Sequence, residues 1–194
     1  MWTGVSVVTR PTGELITLAR LKARLRIDHN DDDGLLADLI KGAIARVDGP
    51  SGIGCALMEQ TWRKSMDCFP CVIILPGAPI KSIAAITYVD AEGATQTLDS
   101  ADYRFDLDSE PVRIAPAYGT AWPSTRHVIG AVKIDYRLGE TEAANVEQDL
   151  IDAVCLIVAH RYENREAVVA ESAHELPLGV EWILNEHARG HVAS

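Results

Sequence analysis

The chain has 194 residues, 28 of them acidic against 18 basic, giving a formal net charge of −10 and a pI near 5.0. That balance argues against a dedicated nucleic-acid surface, which needs clustered Lys and Arg to meet phosphates. No run reaches the roughly 18 apolar residues of a membrane span, and Met1-Trp2-Thr3-Gly4 lacks the basic-then-apolar order of a signal peptide, so a soluble, unexported chain with no membrane partner is expected.

Length alone predicts one sizeable domain or a domain with a subdomain, able to bury about 70% of the unfolded chain's surface. Thr17 is placed to cap a short helix through about Leu25, with Leu18, Leu21 and Leu25 on one face. Asp31-Asp32-Asp33 then opens a second helix, where negative charge suits the N-terminal end of the dipole. Leu35, Leu36, Leu39, Ile40, Ala43, Ile44 and Val47 form its apolar stripe, and Gly49-Pro50-Ser51-Gly52 ends it.

From about Leu57 to Leu138 the apolar period becomes two, as in Tyr103/Phe105/Leu107, Val112/Ile114 and Val132/Ile134/Tyr136. Asp90-Ala91-Glu92-Gly93 and Asp108-Ser109-Glu110-Pro111 have the composition of hairpin connections, with Gly93 set to take a positive φ. Pro116, Gly119, Trp122 and Pro123 mark a long irregular connection whose Tyr118 and Trp122 make it a candidate contact surface. After Gly139 the helical period returns, and Leu150 to Ala159 is apolar except for Asp152, the mark of a helix covered on nearly every side. The last apolar element, Leu176 to Leu184, is too short to persist alone, since isolated helices under roughly 12–15 residues are marginal in water. It carries Trp182, Ile183 and Leu184, and therefore needs a surface belonging to its own domain or to another protein.

The expected fold class is α+β: a helical domain of two N-terminal helices, one long buried helix and a C-terminal arm helix, with an inserted antiparallel β subdomain. The corresponding divisions are residues 1–56, 57–139, 140–166 and 167–194.

Candidate chemistry is sparse. Cys68-Phe69-Pro70-Cys71 has redox-motif spacing, yet an activated CxxC thiolate sits at a helix N-terminus, and here Val72-Ile73-Ile74-Leu75 reads as a strand. A zinc site needs two further nearby ligands, and Cys55 and Cys155 are distant in sequence, so free thiols and no metal are expected. The stretch His29 to Gly34 imitates a calcium loop, but Ile40 stands where a bidentate Glu is required, and helix capping accounts better for the aspartates. No nucleophile elbow, P-loop, H-E-x-x-H or G-x-G-x-x-G occurs. His160 with Glu163 forms an i, i+3 pair of structural type. No catalytic residue, cofactor or metal is assigned.

Several segments together resemble the head-tail connector, or adaptor, family of long-tailed bacteriophages and phage-derived gene transfer agents. They are Leu21-Lys22-Ala23-Arg24-Leu25-Arg26-Ile27-Asp28 before the aspartate run, Gln60-Thr61-Trp62, Leu75-Pro76 with Pro79-Ile80, and Ile86-Thr87-Tyr88-Val89-Asp90. Later come Pro116-Ala117-Tyr118-Gly119 with Trp122-Pro123, the stretch Val158 to Ala167, and Leu176-Pro177-Leu178-Gly179-Val180. The Cys68/Cys71 pair and the glycine-rich link from Asp48 to Gly54 depart from that pattern.

The resemblance implies a structural, non-enzymatic protein in the neck of a virion or phage-like particle assembled in the bacterial cytoplasm. It implies a dodecameric ring of neighbouring copies beneath the portal protein, a downstream head-closure or tail component, and DNA passing through the lumen without specific binding. The portal-binding residues it suggests are Leu176, Pro177, Leu178, Val180, Trp182, Ile183 and Leu184, with Tyr118 and Trp122 as tail-side or subunit contacts. Rival readings are a thiol-disulfide or metal-binding protein using Cys68 and Cys71, and a monomeric protein-binding module.

Overall fold

A computed structural model describes residues 4–164 and 178–189, the side chain of Leu178 excepted. Two layers account for them, each built on its own apolar cluster.

The helical layer contains α1 (Leu18–Leu25), α2 (Asp33–Val47), α3 (Gln148–Glu163) and α4 (Leu178–His187). Thr17 caps α1 as expected, its Oγ1 accepting from the Arg20 N–H at 3.2 Å. The aspartates at the start of α2 act differently from the capping expectation: Asp32 occupies the cap position without a side-chain cap hydrogen bond. It accepts instead from the Tyr162 hydroxyl at 2.6 Å, and Asp33 pairs with Lys22 Nζ at 2.7 Å. The acidic run therefore ties α2 to both α3 and α1. Down the apolar stripe of α2, Leu36, Ile40, Ala43 and Val47 are buried. Against it lies α3, with Leu150, Ile151, Ala153, Val154, Cys155, Ile157 and Val158 buried and only Leu156 of its large apolar residues turned out.

The β layer is antiparallel throughout its pairings. One sheet has the order β1-β2-β8-β4-β5, built from Val5–Thr9, Gln60–Met66, Val132–Leu138, Ile80–Val89 and Thr95–Thr97. The other has the order β3-β7-β6, from Ile73–Leu75, Val112–Pro116 and Tyr103–Asp106. The alternation seen in the sequence is the alternation of burial: Val132, Ile134, Tyr136 and Leu138 of β8 are all buried, with polar residues between them. Trp62 and Tyr136 face each other in register and meet edge to face, centroids 6.3 Å apart. At Gly77, whose φ is +95°, an added Cβ would lie 2.5 Å from the Trp62 ring, so only glycine lets the chain pass this aromatic. The Asp90–Gly93 hairpin joins β4 to β5 with Gly93 at φ +94°, as its composition predicts.

Strand β1 precedes both N-terminal helices and is absent from the sequence-based expectation. It pairs with β2 at one edge of the larger sheet, packing Val5 and Val7 on the β core.

One buried polar relay joins the layers. Asp48, just past α2, accepts from the Leu57 N–H at 2.8 Å and from Gln60 Nε2 at 3.0 Å, while Gln60 Oε1 accepts from Trp62 Nε1 at 2.8 Å. Burial pushes the Asp48 carboxyl above its ordinary pKa, opposed by the hydrogen bonds from Leu57 and Gln60. No helix among the described residues is long and apolar enough to cross a membrane.

Candidate interaction surfaces

The C-terminal arm is the first candidate surface. Of the residues assigned to portal contact, Leu176 and Pro177 lie outside the described residues, as does the side chain of Leu178. The rest of α4 is seated on this chain's own core: Val180 and Leu184 are buried there, and Ile183 packs at its margin. Trp182 points the other way and is 68% exposed. An i, i+4 pair inward and an intervening Trp outward is the pattern of a short helix with one covered face.

The end of α4 is pinned by contacts to sequence-distant elements. The Arg189 N–H donates to Ile53 O at 2.7 Å, Cys55 Sγ donates to His187 O at 3.3 Å, and His187 Nδ1 lies 3.1 Å from a Glu147 oxygen. The Arg189 guanidinium also pairs with Glu110 on the β6–β7 hairpin, so the arm touches both layers. Of the two surfaces the sequence leaves open for this element, the chain's own helical core supplies one, covering the inner face of α4.

The long connection after β7 is the second candidate surface, and its two aromatics separate. Trp122 stacks on Phe69 with centroids 4.8 Å apart and planes 9° from parallel, and Phe69 meets Tyr88 edge to face at 5.8 Å. Trp122 thus fastens the loop to the sheet and is only half available for contact. Tyr118 is fully exposed, although the residues around it are fixed. The Ala117 N–H donates to Asp102 O at 2.9 Å, and Thr120 Oγ1 donates to Ala117 O at 2.8 Å. Farther along, Gly130 N–H donates to Asp67 Oδ1 at 2.7 Å beside Ile129, which is 95% exposed. Sequence reading missed Ile129, because nothing local distinguishes it from a core isoleucine.

Between the layers lies an open cavity of about 340 Å³. Its apolar lining includes Leu57, Ile80, Leu107, Val112, Val146 and Leu150, while Glu110, Glu140, Glu147 and Arg189 supply charge. Burial pushes the Cys55 thiol up to about 11, which keeps it neutral and a weak nucleophile. Burial also raises the pKa of Cys155. Cys68 and Cys71 are free and exposed in the β2–β3 connection. His160 and Glu163 end α3, and His160 contacts Asn164. Among the described residues, no group of three or more His, Cys, Asp or Glu is arranged to hold a metal ion.

Residues 15–61, which span α1, α2 and the start of β2, match the family model described as phage gp6-like head-tail connector protein. No curated protein matches the sequence. Among solved structures, the chain is similar over 94% of its length to 94% of a chain from the neck of an empty GTA particle computed with C6 symmetry. The TM-score is 0.74 and the identity 27%. A chain from the virion of a native gene transfer agent (GTA) particle gives a TM-score of 0.74 at 25% identity, covering 94% of this chain and 93% of that one. A third, from the neck of a native GTA particle computed with C12 symmetry, shares the fold at a TM-score of 0.65 and 23% identity, covering 93% of this chain and 94% of that one.

Proposed function

We infer that this chain is a phage-type head-tail connector, a structural component of the neck of a virion or gene-transfer-agent-like particle. The observation that carries the reading is the whole-chain likeness, at 27% identity over 94% of both chains, to a protein in such a neck. The head-tail connector match over residues 15–61 supports it independently.

In this reading copies of the chain form a ring under the portal, extend the DNA channel toward the tail, and work without catalysis. A connector must join two unlike neighbours, and the two layers are suited to that: α4 on the helical core offers Trp182, and the β layer offers Tyr118 and Ile129. Trp182 is the portal-facing anchor. Full burial of one such side chain contributes roughly 1.5–3 kcal/mol, and because Val180 and Leu184 already hold α4 in place, little of that is offset by ordering the helix. A single grip is weak; a ring presents many at once, so effective concentration makes the whole attachment tight. The net charge of −10 favours passage of DNA without binding, and strong, salt-sensitive duplex affinity in filter binding would contradict that part.

The test is Trp182→Ala in the full-length chain. Particle attachment should be lost with the melting temperature unchanged, as for an exposed aromatic hot spot; attachment at wild-type level would place the grip elsewhere. Replacing Cys68 and Cys71 together by Ser should leave assembly intact, whereas loss of assembly would favour the thiol or metal reading.

A further inference from the structure

We propose that Tyr118 of one copy inserts into the interlayer cavity of the neighbouring copy, making the head-to-tail contact of the ring. The inference rests on the connector reading above and assigns the lateral interface that the reading leaves open.

Three observations carry it. The first is the knob: Tyr118 is fully exposed, yet the backbone on either side is fixed by the bonds from Ala117 to Asp102 and from Thr120 to Ala117. A tyrosine on a bonded stretch of backbone has chiefly its own two χ angles to lose on docking.

The second is the cavity. Its floor is apolar through Leu57, Ile80, Val112 and Val146, and carboxylates of Glu110, Glu140 and Glu147 are among its lining groups. A tyrosine matches both parts, with an apolar ring for the floor and a phenolic O–H to donate to a carboxylate oxygen. Glu110, Glu140 and Glu147 already lie against Arg189, Lys81 and His187, and a phenolic O–H can donate to a remaining carboxylate lone pair, which the side chain of Ile129 cannot.

The third is placement. Val112, the first residue of β7, lines the cavity, and Tyr118 follows two residues beyond the strand's end at Pro116. Tyr118 is fully exposed and does not line the cavity, so the knob does not fill the cavity of its own copy. Two complementary but different patches on one chain produce a heterologous contact, which closes into a ring when the rotation allows. Rings of this kind fit the C6 symmetry with which the neck containing the similar chain was computed.

The experiment uses the full-length chain carrying Cys68→Ser and Cys71→Ser, with Tyr118 kept and with Ala121→Cys, at an exposed position beside the knob, and Leu107→Cys added. Leu107 lines the cavity and is partly exposed, whereas the native Cys55 and Cys155 are buried. A short bis-maleimide applied to assembled particles should give a ladder of covalent oligomers on a denaturing gel, absent when either added cysteine is omitted. Tyr118→Ala should lower the ring fraction in native mass spectrometry at least tenfold while the subunit melts as wild type. Wild-type ring yield for Tyr118→Ala, or rings that form without the ladder, overturns the proposal and leaves the connector reading standing. Absence of any ring from the wild-type chain in purified particles overturns both.

Discussion

The two layers handle their apolar residues differently. In the helical layer a central helix is covered on most sides, and the large apolar residues left exposed are Leu35, Leu156 and Trp182 among those described. In the β layer and its connections Val8, Val72, Ile74, Phe105, Leu107, Tyr118, Val128 and Ile129 are exposed. A helix bundle can close on itself, whereas two short sheets joined by long connections leave edges and loop tips uncovered. The helical layer therefore leaves few large apolar side chains in water, Trp182 the most exposed of them, and the β layer leaves a scattered set.

Substitutions at the centre of each layer test whether the two are one cooperative unit. Trp62→Ala should cost about 3–5 kcal/mol in urea denaturation, and Leu36→Ala about 2–5 kcal/mol. Both residues are fully buried. A single shared transition is expected by near- and far-UV circular dichroism; two separated transitions for Trp62→Ala would show that the helical layer stands alone.

The next effect lies at the junction. Asp48→Ala leaves the Leu57 N–H and the Gln60 amide without their acceptor, a loss of about 1–3 kcal/mol for an unsatisfied buried group. A smaller loss would mean that water replaces the carboxylate there.

Acid titration separates two aspartates of opposite sign. Arg24 and Gln148 hold the Asp152 carboxyl below its ordinary pKa, with burial opposing them. Its contribution is present above the unfolded value near 3.9 and is lost as pH falls through the lower folded value. Asp48, raised by burial, binds its proton more tightly when folded and so favours folding as pH falls through its own higher value. Asp152→Asn should therefore flatten the loss of stability below about pH 4, as followed by thermal melts; an unchanged acid limb would assign that loss to other carboxylates.

The smallest effect belongs to the surface of the large sheet. Arg63 grips Asp135 with two bonds of 2.7 Å across β2 and β8. Arg63→Ala should cost only about 0.2–1 kcal/mol, and less at high salt, a value that a salt series of denaturation curves would check.

Much of the fold was legible because the relevant signals are local. Thr17 and the leucines after it specify α1, the stripe from Leu35 to Val47 specifies α2, and the composition of Asp90 to Gly93 specifies the turn after β4. Strand β1 was not legible: Val5 and Val7 alternate over too few residues to stand out, and only pairing with β2 makes them a strand. The contact surfaces were legible as neighbourhoods and not as residues. The loop holding Tyr118 and Trp122 was visible from its prolines and glycine, but its aromatics have opposite roles because Phe69, more than fifty positions earlier, takes up Trp122 and leaves Tyr118 bare.

The sequence by itself determined the order and type of most elements, the acidic surface and the connector-like signature, since each depends on residue identity within a few neighbours. Tertiary structure alone decided which side chains remain for a partner. Val180 and Leu184 vanish into the core while Trp182 stays in water, and Asp32 and Asp33 become ties to Tyr162 and Lys22. Exposure is a property of what else folds against a residue, and here the covering groups lie tens of residues or more away along the chain in nearly every case.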